Sequence, residues 1–209
     1  MRRDETSALD PDRAARGGRP VTSRSLLVAA LPLLPHAAER DRPLLAVDLD
    51  CRDRLDSLAL LRQGWTVLAI TATPAAKRRL VGEVPQRQSA RLTVEVCDFD
   101  ELALPVADLV YSGAALSSRP QPAFGRLWGR IVPALRPGGW LVGQFVGDRD
   151  VRAGGTGLTV LTRKQIVTLL NGFRIECLRE RETAAEHAFD VLARRRPLHR
   201  GPGGDSPNA

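Results

Sequence analysis

Cysteine is scarce in this chain. Cys51, Cys97 and Cys177 are the only three in 209 residues, odd in number and widely spaced. They form no CxxC pair and no disulfide framework, so reduced, mostly buried thiols in a cytoplasmic protein are expected. Long apolar runs are missing too. The best candidate for a membrane segment, Ser25–Leu34, is interrupted by Pro32 and is far short of the roughly 20 residues a spanning helix needs. No apolar stretch follows Arg2 and Arg3, so no secretory leader is expected. Aromatic residues make up only 4% of the chain. Lysine is nearly absent, with Lys77 and Lys164 set against 29 arginines. Residues 1–24 hold six arginines against four acids, and residues 194–209 hold four against one. The two ends therefore carry +2 and +3 of the net +7. With the core close to neutral and no basic stripe interleaved with aromatics, nucleic-acid binding is not expected.

What remains is ordinary for a globular domain. Apolar residues make up 43% and charged residues 26%. Residues 1–24 and 196–209 are polar or rich in Gly and Pro and read as disordered arms, leaving one domain over 25–195.

Within that domain, strand and helix patterns alternate. Leu44–Leu49 is an apolar run of the kind buried on both faces of a sheet. Asp53–Arg62 shows helical spacing and stops at Gly64. Trp65–Ile70 is a second strand. Thr73-Pro74 opens a helix, with the threonine as cap and the proline in the first turn. Leu92–Val96 and Ala107–Ser112 are further strands. Gln121–Leu135 is a helix through Phe124, Leu127, Trp128 and Ile131. After a Pro137-Gly138-Gly139 turn, Trp140–Val146 is a fifth strand. Thr162-Arg163-Lys164-Gln165 is a capping box, and Phe173–Leu178 and Ala188–Ala193 close the sheet. This order predicts an α/β domain with a mostly parallel sheet of seven strands and helices on both faces. Ligands in such sheets bind at the carboxyl ends of the strands, so the residues that follow each strand are the candidates.

The first of those loops lacks something specific. A turn between a buried strand and a helix that receives a nucleotide normally uses glycine, and Leu44–Leu61 contains none. Asp50, Arg52 and Arg54 stand at alternate positions instead.

Several segments in sequence resemble the class I S-adenosylmethionine-dependent methyltransferases. They are Ala46–Thr71, then V-C-D-F-D-E-L at Val96–Leu102, A-D-L-V-Y-S at Ala107–Ser112, and L-W-G-R-I-V-P-A-L-R-P-G-G-W-L-V-G-Q-F at Leu127–Phe145. The segments L-T-R-K-Q-I and H-A-F-D-V-L-A-R (His187–Arg194) are similar to the small-molecule, tellurite-resistance-type branch. The resemblance implies a Rossmann-like methyltransferase fold, S-adenosylmethionine as cofactor and a small-molecule acceptor. No second His or Cys makes a metal site with His187, so no metal is expected, and the resemblance places no catalytic residue. It assigns Asp48 as the acid before the cofactor loop, and puts Asp50, Arg52 and Arg54 on the three glycines of D-x-G-x-G-x-G. It puts Thr71 where an acid normally binds both ribose hydroxyls. Asp98 would hold the adenine amino group, with Phe99 flanking the ring; a strand-end cap and a core phenylalanine are the competing readings. Tyr111 and Ser112 would border the transferred methyl, and Gly147–Asp150 would face the acceptor.

Four of these positions depart from the pattern. A side chain at a glycine position excludes what should lie there, and a left-handed backbone costs a non-glycine residue roughly 1–2 kcal/mol. Thr71 offers one hydroxyl in place of two charge-assisted bonds, a loss of about 1.5–3 kcal/mol. Two readings follow. One is a methyltransferase-like protein, weakly active or non-catalytic, acting as a protein partner or regulator. The other is an active enzyme whose loop has been rebuilt, with Arg52 or Arg54 attracting the cofactor's carboxylate.

Overall fold

The computed structural model describes residues 23–37, 40–49, 51 and 54–197. The two expected arms, apart from a few residues at their inner ends, lie outside these residues, as do Asp50 and Arg52. Eight strands form one sheet: β1 (Leu45–Leu49), β2 (Thr66–Thr71), β3 (Leu92–Val96), β4 (Ala107–Gly113), β5 (Leu135–Gly147), β6 (Val160–Leu161), β7 (Phe173–Glu182) and β8 (His187–Arg195). Their order is β3-β2-β1-β4-β5-β8-β7, with the short β6 pairing to the end of β5. Strands β1 to β6 pair in parallel, and β8 runs antiparallel to both β5 and β7. The strand order reverses between β1 and β4, and ligands of such sheets sit at that switch.

Burial follows the two-residue period of the strands. Val47, Leu49, Val110, Phe145 and Phe189 belong to one half of the core, with Phe124, Leu127 and Ile131 of the helix Gln121–Ala134 (α5) and Ile166 of Arg163–Leu169 (α6). Ala46, Leu109, Tyr111, Val142 and Leu192 belong to the other half. That half is completed by Leu26 and Leu27 of Ser23–Ala30 (α1), Leu58 and Leu61 of Leu55–Arg62 (α2), and Leu80 of Pro74–Glu83 (α3). A short helix, Gln86–Ser89 (α4), leads into β3.

The expected caps are present. Thr73 Oγ1 accepts the N–H of Ala76 at 3.2 Å, and Pro74 fills the first turn of α3. Thr162 and Gln165 make both bonds of the capping box on α6.

Three elements depart from the sequence expectation. The apolar run Ser25–Leu34, read only as too short for a membrane, lies largely in α1, which starts at Ser23. The Pro137-Gly138-Gly139 turn is present but lies inside the span of β5, between Leu135 and Trp140, which pair with Ala107 and Leu109. Strand β7 runs four residues past Leu178 to Glu182, because alternating charge suits an exposed edge strand and hides its apolar signature.

Candidate functional site

The carboxyl ends of the parallel strands gather the residues after β1, β2, β3, β4 and β5. Asp48 is almost fully buried on β1 and accepts the Ser57 hydroxyl of α2 at 2.5 Å. Its register partner on β4 is Tyr111, which is also buried. Tyr111 therefore sits within the α1-side core. The chain leaves β1 through Cys51, whose N–H bonds Ile70 O at 2.9 Å, and the N–H of Arg54 bonds back to Cys51 O at 3.2 Å.

Arg54 adopts φ 58°, the left-handed region, directly before α2. No other non-glycine residue among those described has a positive φ. This is the third of the positions where the resemblance expects glycine. The backbone keeps the glycine conformation at that point, although the residue is arginine. The guanidinium is held by Glu83 at the end of α3, Nε to Oε2 at 2.5 Å.

Thr71 ends β2 fully buried, and its Oγ1 accepts the N–H of Thr73 at 3.2 Å, bracing the turn into α3. Its carbonyl accepts the Cys97 N–H at 3.1 Å, which brings the end of β3 alongside. Asp98 is exposed and accepts the Asp100 N–H at 3.0 Å, the turn role weighed against ligand binding. Phe99 is 5% exposed within the core, and the Arg119 guanidinium carbon lies 4.1 Å from its ring centroid. The segment carrying Arg119 is fixed at both ends. The Ser117 hydroxyl accepts the Val146 N–H at 3.1 Å, and the Thr159 hydroxyl donates to Arg119 O at 2.8 Å. Ser112 is buried, and its hydroxyl donates to Gly113 O at 3.3 Å.

Past β5, Gly147–Asp150 meets the start of β8. An added Cβ on Gly147 would lie 2.2 Å from His187 Nδ1, so the buried imidazole rests on bare backbone. His187 Nδ1 accepts the Arg149 N–H at 3.0 Å. His187 Nε2 faces Glu180 Oε1 at 3.0 Å and Arg149 Nη2 at 3.2 Å. Ligand atoms of Glu180, Glu182 and His187 lie within 4.8 Å of one another, a spacing that could hold a cation. The Arg149 guanidinium already binds both carboxylates, at 2.6 Å to Glu180 and 2.7 and 2.9 Å to Glu182. It holds both acids below the usual carboxylate range, and they raise its own pKa in return. The chain supplies its own cation here. In the sequence, Arg149 stands only as part of Gly147–Asp150, the segment that the resemblance turns toward the acceptor. Glu180 and Glu182 went unremarked, and their spacing of two on one strand was the available signal.

Asp150 is buried and accepts from Arg152 Nε and Nη2 and from the His187 N–H. Its hydrogen bond to the Arg152 side chain lowers its pKa from 3.8 to about 2. A depressed carboxyl pKa contributes stability that is complete above the unfolded value and is lost as pH falls through the folded one. Asp150→Asn is therefore expected to flatten the stability–pH profile between about pH 4 and about pH 2, read by urea midpoints across that window. An unchanged slope would rule this out.

No protein-family model matches the chain, and no curated protein matches it. Solved structures do. An S-adenosylmethionine-dependent methyltransferase from Mesorhizobium loti superposes with TM-score 0.64 at 22% identity, over 80% of this chain and 96% of that one. The Burkholderia thailandensis 1,6-didemethyltoxoflavin-N1-methyltransferase, solved with 1,6-didemethyltoxoflavin and S-adenosylhomocysteine, gives 0.63 at 23%, over 91% and 88%. The 4+2 cyclase SpnF gives 0.64 at 17%, over 84% and 81%. The chain has the fold of the S-adenosylmethionine-dependent methyltransferases. A cyclase on the same fold means that the reaction must be argued from the site.

Proposed function

We propose that this chain is a methyltransferase-fold protein in which the residues at the cofactor positions have become internal structure. On this reading it binds S-adenosylmethionine weakly or not at all and acts as a non-catalytic partner or regulator in the cytoplasm. The observation that carries the reading is Arg54: a side chain occupies a left-handed glycine position, and its charge is committed to Glu83. Two others support it. The Thr71 hydroxyl accepts a backbone N–H, and one face of Phe99 lies against Arg119. The residues present therefore fit the cofactor poorly. The rebuilt-enzyme reading needs Arg52 or Arg54 to take the cofactor's carboxylate; the Arg54 Nε is engaged by Glu83, and Arg52 lies outside the described residues. The end of the chain resembles the small-molecule, tellurite-resistance-like branch. Any acceptor would then be a small molecule meeting Gly147–Asp150.

Thermal denaturation with S-adenosylmethionine tests this. A ligand at 100 times its Kd adds about 2.7 kcal/mol of stability. The expected result is an unmoved melting temperature at millimolar cofactor. A quadruple variant, D50G/R52G/R54G/T71D, is expected to gain a saturable shift. A shift in the unmodified chain would overturn the proposal. A folded variant that ignores the cofactor would show that these four residues are not the cause.

A further inference from the structure

A second candidate site lies at the opposite end of the strands, where the parallel strands begin. A cleft of about 420 Å³ opens there between the segment leading into β1, the start of β5 and the end of β8. That volume is in the range of small-molecule sites, roughly 300–1,000 Å³. Its lining includes Arg40, Arg42, Arg136 and Arg194, against two acids, Asp41 and Asp108.

Some of these charges are committed to one another. Asp108 takes both terminal nitrogens of Arg42 and the Leu45 N–H, and these bonds hold its carboxyl below the usual range despite partial burial. Arg136 Nε forms an ion pair with the same carboxylate at 3.6 Å, without a hydrogen bond, so its donors remain available. Arg194 spends Nε on Gly138 O at 2.9 Å and lies 5.5 Å from the Trp140 ring centroid. Its terminal nitrogens have no hydrogen-bond partner among the described residues. The Arg40 side chain makes no bond among them either.

The floor of the cleft is built for close approach. Gly138 has φ +79°, and a Cβ on Gly139 would lie 2.9 Å from Arg136 O. Only glycine lets this turn close, and the turn in turn fixes the direction of Arg194.

We propose that this cleft binds the phosphoryl group of a phosphorylated small molecule. Four guanidinium groups against two carboxylates leave the lining of this one cleft at a net +2, and Asp108 already takes two of its bonds from Arg42. Planar guanidinium forks match the oxygens of phosphate, and Arg194 is pre-oriented by Gly138 and Trp140, so little freedom is lost on binding. The cleft is larger than a lone phosphate requires, so the phosphoryl group enters attached to a further moiety.

Isothermal titration of the full chain with inorganic phosphate, pyrophosphate and ADP, at matched ionic strength, tests the site. Saturable binding is expected, with ADP or pyrophosphate tighter than phosphate. Equal affinities for all three would overturn the attached-moiety claim. Arg194→Gln is expected to weaken binding at least tenfold. Because Arg194 also holds the β5 turn, Arg40→Gln serves as a second variant that removes no internal bond. It is expected to weaken binding severalfold with an unchanged melting temperature. The absence of saturable binding, or equal affinity in wild type and both variants, would overturn the proposal.

Discussion

Replacing Asp190 by alanine is expected to cost about 3–5 kcal/mol, the scale for breaking a buried ion pair from one side. Asp190 is 1% exposed on β8. It is the register partner of Gln144 on β5 and Arg179 on β7, and it binds both. Arg181 adds two more bonds, at 2.8 and 3.2 Å. Burial pushes this carboxyl up, and Arg181 and Arg179 outweigh that push, so its pKa lies below the ordinary value. Removal leaves two partly buried guanidinium groups facing each other with nothing between them. Urea denaturation should show a large fall in midpoint with little change in slope. Asp190→Asn keeps the shape and part of the bonding, so it should cost less and should also remove the part of acid sensitivity that Asp190 supplies. A loss below about 1 kcal/mol in the alanine variant would mean that the arginines find water instead.

Gly147→Ala is the second large effect. The new methyl would overlap the His187 ring at 2.2–2.5 Å, and the ring is fully buried, so it has nowhere to turn. Overpacking of this kind costs typically 1–3 kcal/mol. The loss would break the bond from the Arg149 N–H and loosen Arg149 from its two glutamates. A double-mutant cycle identifies the cause. In a His187→Ala background the same substitution should cost little. An equal cost in both backgrounds would place the strain in the backbone rather than against the imidazole.

The sequence revealed the parts of this fold that have local causes. Apolar runs marked β1, β2 and β4 because strands buried on both faces cannot hide their composition. Thr73-Pro74 and Thr162–Gln165 marked helix starts because caps are made by near neighbours. The missed elements depend on partners far along the chain. The role of α1 emerges only when Leu26 and Leu27 meet Tyr111 and Val142 across the sheet. The sequence reading ended β7 at Leu178 because the charged end of an edge strand carries no apolar alternation. The candidate site divides in the same way. Asp48, Thr71, Asp98 and Phe99 stand at strand ends as their spacing required. The partners that occupy them, Ser57, Thr73, Asp100 and Arg119, are a matter of packing. The Arg149–Glu180–Glu182–His187 cluster joins three separate segments, and no single window of sequence contains it.

The left-handed turn at Arg54 also bears on how the chain could change. A substitution normally asks the backbone to find a new path. Here a glycine would inherit a path already formed, since φ 58° is one it adopts without strain. The arginine side chain, held by Glu83, is then all that such a change removes. At this position it calls for one substitution and no new backbone conformation.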